Sequence, residues 1–119
     1  MSLKIKKYNR RSIRLIKKFL HVGVPTTKSL PGEAFSEERG IYFLPPEASD
    51  FQMEYVRFLP DTKFPGAIHY APHVAGEVDS IEETVKYADE VLMPKTDFGP
   101  FYFAFVKKDG AIFELVEMK

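Results

Sequence analysis

Two pairs of short stretches in this chain repeat one pattern, and that repeat constrains the fold more than anything else in the sequence. "LHVGVPTT" from residue 20 and "PHVAGEVD" from residue 72 each set His-Val at the start of a strand that leads toward a helix. "FQMEYVRF" from residue 51 and "AIFELVEM" from residue 111 each place a glutamate fourth in a run of aromatic and β-branched residues. His21 and His73 lie 52 residues apart (73 − 21), and Glu54 and Glu114 lie 60 apart (114 − 54). Two copies of one supersecondary unit would then share a core. The likeness lies in pattern and spacing, since few letters match.

The second copy is the easier to read. "HVAGEVD" predicts a strand. Ser80 with Glu83 three residues on forms a capping-box signature, and Ile81, Val85 and Ala88 recur at helical spacing. "EVLMPKTDF" predicts a strand, and Asp109-Gly110 between two β-rich runs predicts a hairpin. The first copy follows a shorter version of this order. A strand is expected over about Phe19 to Pro25, and a short helical piece within "KSLPGEAFSEERG". "IYFLPPE" predicts a brief strand stopped by Pro45 and Pro46, and "DFQMEYVRFL" another strand. "PDTKFPG" connects the halves. The expectation is an α+β domain over 19–118, with two βαβββ modules at about 19–60 and 71–118. They form a curved mixed sheet around a concavity, and the first module is shortened.

Composition narrows the classes. The 119 residues suit one domain with a modest core. Cysteine is absent, which removes disulfides, thiolate nucleophiles and cysteine-based metal clusters, and fits a cytoplasmic protein. The zero net charge hides a split. Residues 1–18 hold 8 of the 17 basic residues and no acid, so the rest carries 9 basic against 17 acidic, about −8. Such an arm can meet nucleic acid or an anionic lipid surface. No aromatic–basic interleaving or nucleic-acid signature accompanies it, so it reads as a flexible basic terminal arm, with neither nucleic acid nor membrane as partner. No uninterrupted apolar segment follows its charges, so no cleaved signal is expected.

The candidate site follows from alternation along strands. Gln52, Glu54, Val56 and Phe58 share one face, as do Ile112, Glu114 and Val116. Each glutamate therefore sits among apolar neighbours in mid-strand, where a charge is costly unless it is paired or binds a metal. Taken singly, a histidine at a strand start is a structural or surface residue, and a mid-strand glutamate can face solvent. At matched positions of a repeat, His21, Glu54, His73 and Glu114 form a two-His, two-Glu set. Its imidazoles and carboxylates suit zinc, nickel, cobalt, manganese or ferrous iron. His69 is four residues from His73, but Pro72 opposes a helix between them, and an extended chain would hold them about 13 Å apart. His69 is left out of the set. Arg39 and Arg57 can each hold a carboxylate or phosphate, although alternation puts Arg57 opposite Glu54 and favours a surface ion pair. Phe58, Phe101 and Phe103 fit a cavity lining and fit a core better.

With these residues in place, the chain resembles the vicinal oxygen chelate superfamily, the glyoxalase/bleomycin-resistance/dioxygenase fold. The likeness covers about residues 19–118. "PHVAGEVDSIEE" and "FVKKDGAIFELVE" carry most of it, and "FLHVGVPTT" and "FQMEYVRF" the rest. The resemblance implies metal ligands from the first and last strands of each module, at His21, Glu54, His73 and Glu114. It implies a divalent ion that takes two adjacent oxygens of a small substrate and stabilises an enolate-type intermediate. A ligand set of this kind resembles glyoxalase I, in which one glutamate moves a proton, so Glu54 and Glu114 are the catalytic candidates. Only 33 residues separate His21 from Glu54, against 41 between His73 and Glu114. The first module thus reads as shortened around "IYFLPPEAS", by as much as a strand, and no glutathione site is carried over. By the same analogy a homodimer is expected.

Two functions from different classes follow. One is a metal-dependent isomerase, epimerase or lyase. The other is a binding protein that sequesters a ligand in the same concavity without chemistry. Buried carboxylates favour the first, because a sequestering cavity has no use for them. There is no Gly-rich phosphate loop, nucleophile elbow or zincin motif.

Overall fold

A computed structural model describes residues 14–119. Most of the basic arm, residues 1–13, lies outside the described residues. The first strand reaches back beyond the expected Phe19: β1 spans Ile16–Pro25. Two residues assigned to the arm from charge alone, Lys17 and Lys18, thus belong to the sheet. Lys17 pairs there with Glu77 and Asp79 at 3.3 and 2.9 Å.

Seven further strands follow: β2 (Ala34–Ser36), β3 (Ile41–Leu44), β4 (Met53–Phe58), β5 (His73–Val78), β6 (Glu90–Asp97), β7 (Phe101–Lys108) and β8 (Ala111–Met118). All eight join one mixed sheet in the order β2-β3-β4-β1-β5-β8-β7-β6. The order is the same in each half when read outward from β1 and from β5. The two first strands meet antiparallel at the centre. Each is flanked by the last strand of its own half, running parallel: β4 beside β1 and β8 beside β5. The sheet is curled into a half-barrel. The Arg39 guanidinium, from the β2–β3 turn at one edge, lies 3.5 Å from the centre of the Phe98 ring, which follows β6 at the other edge.

The halves differ in what covers the outer face. In the second half Ser80 accepts the Glu83 N–H at 3.2 Å and starts α1 (Ile81–Thr84), which runs on as a short 3-10 turn over Val85–Tyr87. Ile81 of α1 packs onto Val78, Ala104, Val106 and Leu115 of the sheet, and Val85, Ala88 and Phe113 flank them. Each of the fully buried aliphatic side chains contributes about 1.5–3 kcal/mol. The first half has no α-helix among the described residues, only a 3-10 turn at Pro46–Ala48, which corrects the expected helical piece in "KSLPGEAFSEERG". That segment forms turns and the three-residue β2. The spacing deficit between His21 and Glu54 is therefore a missing helix and not a missing strand, since all four strands are present. Gly32 and Gly40, at φ +84° and +68°, break the segment at both ends, where any continuing helix would need negative φ.

The inner face holds a second cluster of Ile68, Phe103 and Phe105, with Phe58, Phe64 and Ile112 against it. Phe64 and Ile68 come from the connector between the halves, which folds into the trough. The β7–β8 hairpin turns at Asp109-Gly110 as expected. Both residues are left-handed, at φ 50° and 81°, the conformation of the two-residue turn that matches strand twist.

Candidate metal centre

The central strand pair sets the geometry. Across the seam, His21 of β1 pairs with Ala75 of β5, and Gly23 of β1 pairs with His73 of β5. The outer neighbours complete two rows: Glu54 of β4 lies beside Gly23, and Glu114 of β8 lies beside Ala75. One row therefore reads Glu54–Gly23–His73 and the other His21–Ala75–Glu114. Cross-strand neighbours project from the same face, so all four candidate side chains enter the trough. In each row the residue between histidine and glutamate is small. A Cβ on Gly23 would come within 2.2 Å of His73 Cε1 and 2.3 Å of its Nε2. The His73 ring thus occupies the space that any other residue at position 23 would fill. Phe105 meets that ring edge-on, with centroids 5.1 Å apart.

The distances bring all four sequence candidates together. His21 Nε2 lies 3.5 Å from Glu54 Oε1 and 3.6 Å from Glu114 Oε1. His73 Nε2 lies 3.5 Å from Glu114 Oε1. Donor atoms of His21, Glu54 and His73 all fall within 4.8 Å of one another. His21 Nε2 and His73 Nδ1 are buried with no hydrogen-bond partner, which is costly for a polar atom shielded from water. The spacing is too long for good hydrogen bonds. Two donors held about 2.1 Å from a common ion at a tetrahedral angle would lie about 3.4 Å apart. Donor types, spacing and the orphaned imidazole nitrogen all fit a divalent ion.

The charges are unevenly held. Burial works against the Glu114 carboxylate, but His21 and His73 outweigh it and bring its pKa down to about 2. Glu54 is pushed upward, chiefly by burial, with Glu114 adding repulsion against the opposing pull of His21. His21 is raised: burial disfavours its charge, yet Glu114 and Glu54 together prevail. The two glutamates are thus shifted in opposite directions, Glu114 downward and Glu54 upward.

The cavity over these residues measures about 520 Å³ and is lined mainly by apolar side chains, among them Val56, Phe58, Phe101 and Phe105. Phe103 is buried in the core. His69 lies apart from the four, stacked on Phe58 at 4.4 Å with its Nε2 on the Phe64 carbonyl at 3.0 Å. Arg57 pairs with Glu33 and lies over Tyr42. That is the expected ion pair, though half-buried and not freely exposed. Two features escaped the sequence reading. The small residues at Gly23 and Ala75 were visible as the third letter of "HVG" and "HVA". Glu47, whose negative charge reaches both His21 and Glu54, carries no signal in the sequence, because only the chain path brings it near.

No family model matches the chain, and no curated protein matches it. Among solved structures, the crystal structure of methylmalonyl-CoA epimerase from Mycobacterium tuberculosis is similar in fold. The TM-score is 0.50 at 15% identity, over 94% of this chain and 96% of that chain. At that identity the likeness is one of fold alone: a curled, eight-stranded mixed sheet.

Proposed function

We propose that this chain is a metal-dependent enzyme of the isomerase or epimerase class, moving a proton on a small substrate that offers two adjacent oxygens. The observation that carries the reading is the convergence of His21, Glu54, His73 and Glu114 on one buried spot, with His21 Nε2 facing two carboxylates and bonded to neither. These four residues would hold the ion. When bound, it supplies a Lewis acid that polarises substrate oxygens and acidifies the adjacent C–H. Glu114, ionised throughout the physiological range, is suited to stay a fixed ligand. Glu54 takes up a proton more readily than an ordinary carboxylate and lies 3.5 Å from His21 Nε2. That makes it the better base and proton carrier. His21 and His73 are positioned by Ala75 and Gly23. The apolar walls exclude water from the proton being moved. The fold neighbour is itself an epimerase, which agrees with this class.

Metal content by plasma mass spectrometry, after reloading with zinc, nickel, cobalt or manganese, tests the reading. Wild type should hold about one ion per chain, and His73→Ala should lose it. Loaded protein is then incubated in D2O with methylmalonyl-CoA, the substrate named for the fold neighbour, and with small α-hydroxy ketones. Deuterium uptake that disappears in Glu54→Gln at a metal content matched to wild type would support proton transfer by Glu54. If none of these ions is taken up, the enzyme reading fails. The apolar cavity would then favour the second reading, a protein that sequesters its ligand.

A further inference from the structure

Two arginines lie near the trough, and they are treated differently. Arg57 is neutralised by Glu33 and covers Tyr42. Arg39 lines the cavity and has no carboxylate partner among the described residues; its guanidinium reaches Ser36 Oγ at 3.4 Å. It is the one lysine or arginine among the cavity-lining residues. It is not loosely placed. The Arg39 carbonyl accepts from Thr62 Oγ1 at 2.8 Å and from the Lys63 N–H at 3.3 Å, and the guanidinium carbon lies over the Phe98 ring, 3.5 Å from its centre. An aromatic face against one side of a guanidinium leaves its in-plane N–H fork open. Its location also differs from that of the four clustered ligands. They stand on the central strands of the sheet, whereas Arg39 and Phe98 join its two edges across the trough.

We propose that Arg39 is the anion-recognising residue of this cavity, receiving a carboxylate on the part of the ligand farthest from the His/Glu cluster. The ligand class is a small molecule with an apolar body and a terminal carboxylate. A single arginine with one neighbouring hydroxyl suits a singly charged carboxylate. A dianionic phosphate would call for a second cation, and among the described residues the cavity offers none while holding Glu54 and Glu114. Phe98 and Phe101, stacked at 4.6 Å, would flank the apolar body. The inference rests on the cavity being a ligand site, as proposed above, but it needs no metal.

The probes are 4-phenylbutyrate and its amide, which differ only in charge at one end. Each is titrated by NMR into wild type, Arg39→Gln and Arg39→Lys, metal-free and zinc-loaded. Wild type should bind the acid about tenfold more tightly than the amide, the worth of one charge-assisted fork at a half-buried site. The preference should vanish in Arg39→Gln, persist in part in Arg39→Lys, and be present without zinc. Equal affinities, no saturable binding of either probe, or a preference that survives in Arg39→Gln overturns the assignment. A preference that appears only with zinc and survives Arg39→Gln would put the carboxylate on the metal. That result would retain the metal reading and discard this one.

Discussion

The two halves of the sheet share one strand order and one pair of functional residues each, yet they are stabilised unequally. β5–β8 carry α1 and supply nearly all of the outer core: Val78, Ile81, Ala104, Val106 and Leu115. β1–β4 carry no α-helix among the described residues, and their outer face keeps Val22, Val24 and Tyr55 only half-buried. The site draws equally on both, with His21 and Glu54 from the lean half and His73 and Glu114 from the well-packed one. The difference shows that the second half acts as scaffold. The first half is held to it through the β1–β5 seam, and His21 and His73 stand on the two sides of that seam.

The largest effect should come from the scaffold. Ile81 is 1% exposed and sits at the centre of the helix-side cluster. Ile81→Ala should cost about 3–4 kcal/mol, the range for a deeply buried aliphatic truncation. The matched cut in the lean half, Val24→Ala, should cost about 1 kcal/mol. Urea denaturation of both variants measures the contrast. Equal losses would mean that the halves share one core and that the scaffold distinction is wrong.

At the seam the asymmetry is finer. Ala75 carries a Cβ beside His21 and is fully buried, while Gly23 leaves its Cβ space to the His73 ring. Gly23→Ala should tilt His73 out of the cluster and weaken metal uptake about a hundredfold, near 2.7 kcal/mol. Gly66→Ala, where an added Cβ meets nothing within 4 Å, should leave uptake unchanged. Calorimetric zinc titration of the two variants decides it. Undiminished affinity in Gly23→Ala would show that His73 is not a required ligand.

The glutamates should separate on titration. Glu114 lies low, at about 2, and Glu54 lies above the ordinary 4.5. As pH falls through the carboxylate range, Glu54 should protonate first and Glu114 last, as read by carboxyl carbon NMR on metal-free protein. The signs for stability are opposite. A depressed carboxyl adds stability above pH 4.5 that is lost as pH falls toward about 2. A raised one subtracts stability while ionised and gives it back as pH falls through its folded value. Glu54→Gln should therefore stabilise the metal-free protein at neutral pH, even as it impairs metal uptake. Destabilisation by Glu54→Gln would mean that the Glu54 carboxylate is a net structural asset.

Much of this was legible in the sequence because it depends on local periodicity. His21, Glu54, His73 and Glu114 were found from strand alternation and a matched pattern, and the Asp109-Gly110 turn from its dipeptide. The segment between Pro25 and Ile41 was misread because composition there is ambiguous. "EAFSEERG" has good helix formers, but Gly32 and Gly40 adopt positive φ and Phe35 pairs with Tyr42 across β2 and β3. Tertiary pairing overrode propensity. Arg39 was noticed as a possible anion holder, but its position over Phe98 depends on the curl of the whole sheet, which no local pattern encodes.

The smallest predicted effect concerns how the single helix is started, since this is what the lean half lacks. The sequence signature suggests a reciprocal capping box, in which Ser80 and Glu83 each satisfy the other's N–H. Only half of it forms. Ser80 Oγ accepts from the Glu83 N–H, but the Glu83 carboxylate turns outward to Lys86 Nζ at 2.9 and 3.1 Å. A second acceptor comes from the neighbouring strand: Glu117 Oε1 of β8 takes the Ile81 N–H at 2.8 Å. A helix this short cannot nucleate by itself, so a tether from the sheet is the more physical start. Ser80→Ala should then cost about 1 kcal/mol, an ordinary N-cap loss. Glu83→Ala should be near neutral, because it removes only an exposed pair. Glu117→Ala should cost at least as much as Ser80→Ala, since it leaves a part-buried N–H without its acceptor. Thermal melts of the three variants rank them. If Glu83→Ala proves the costliest, the reciprocal box forms in solution, and the helix owes its start to its own sequence and not to β8.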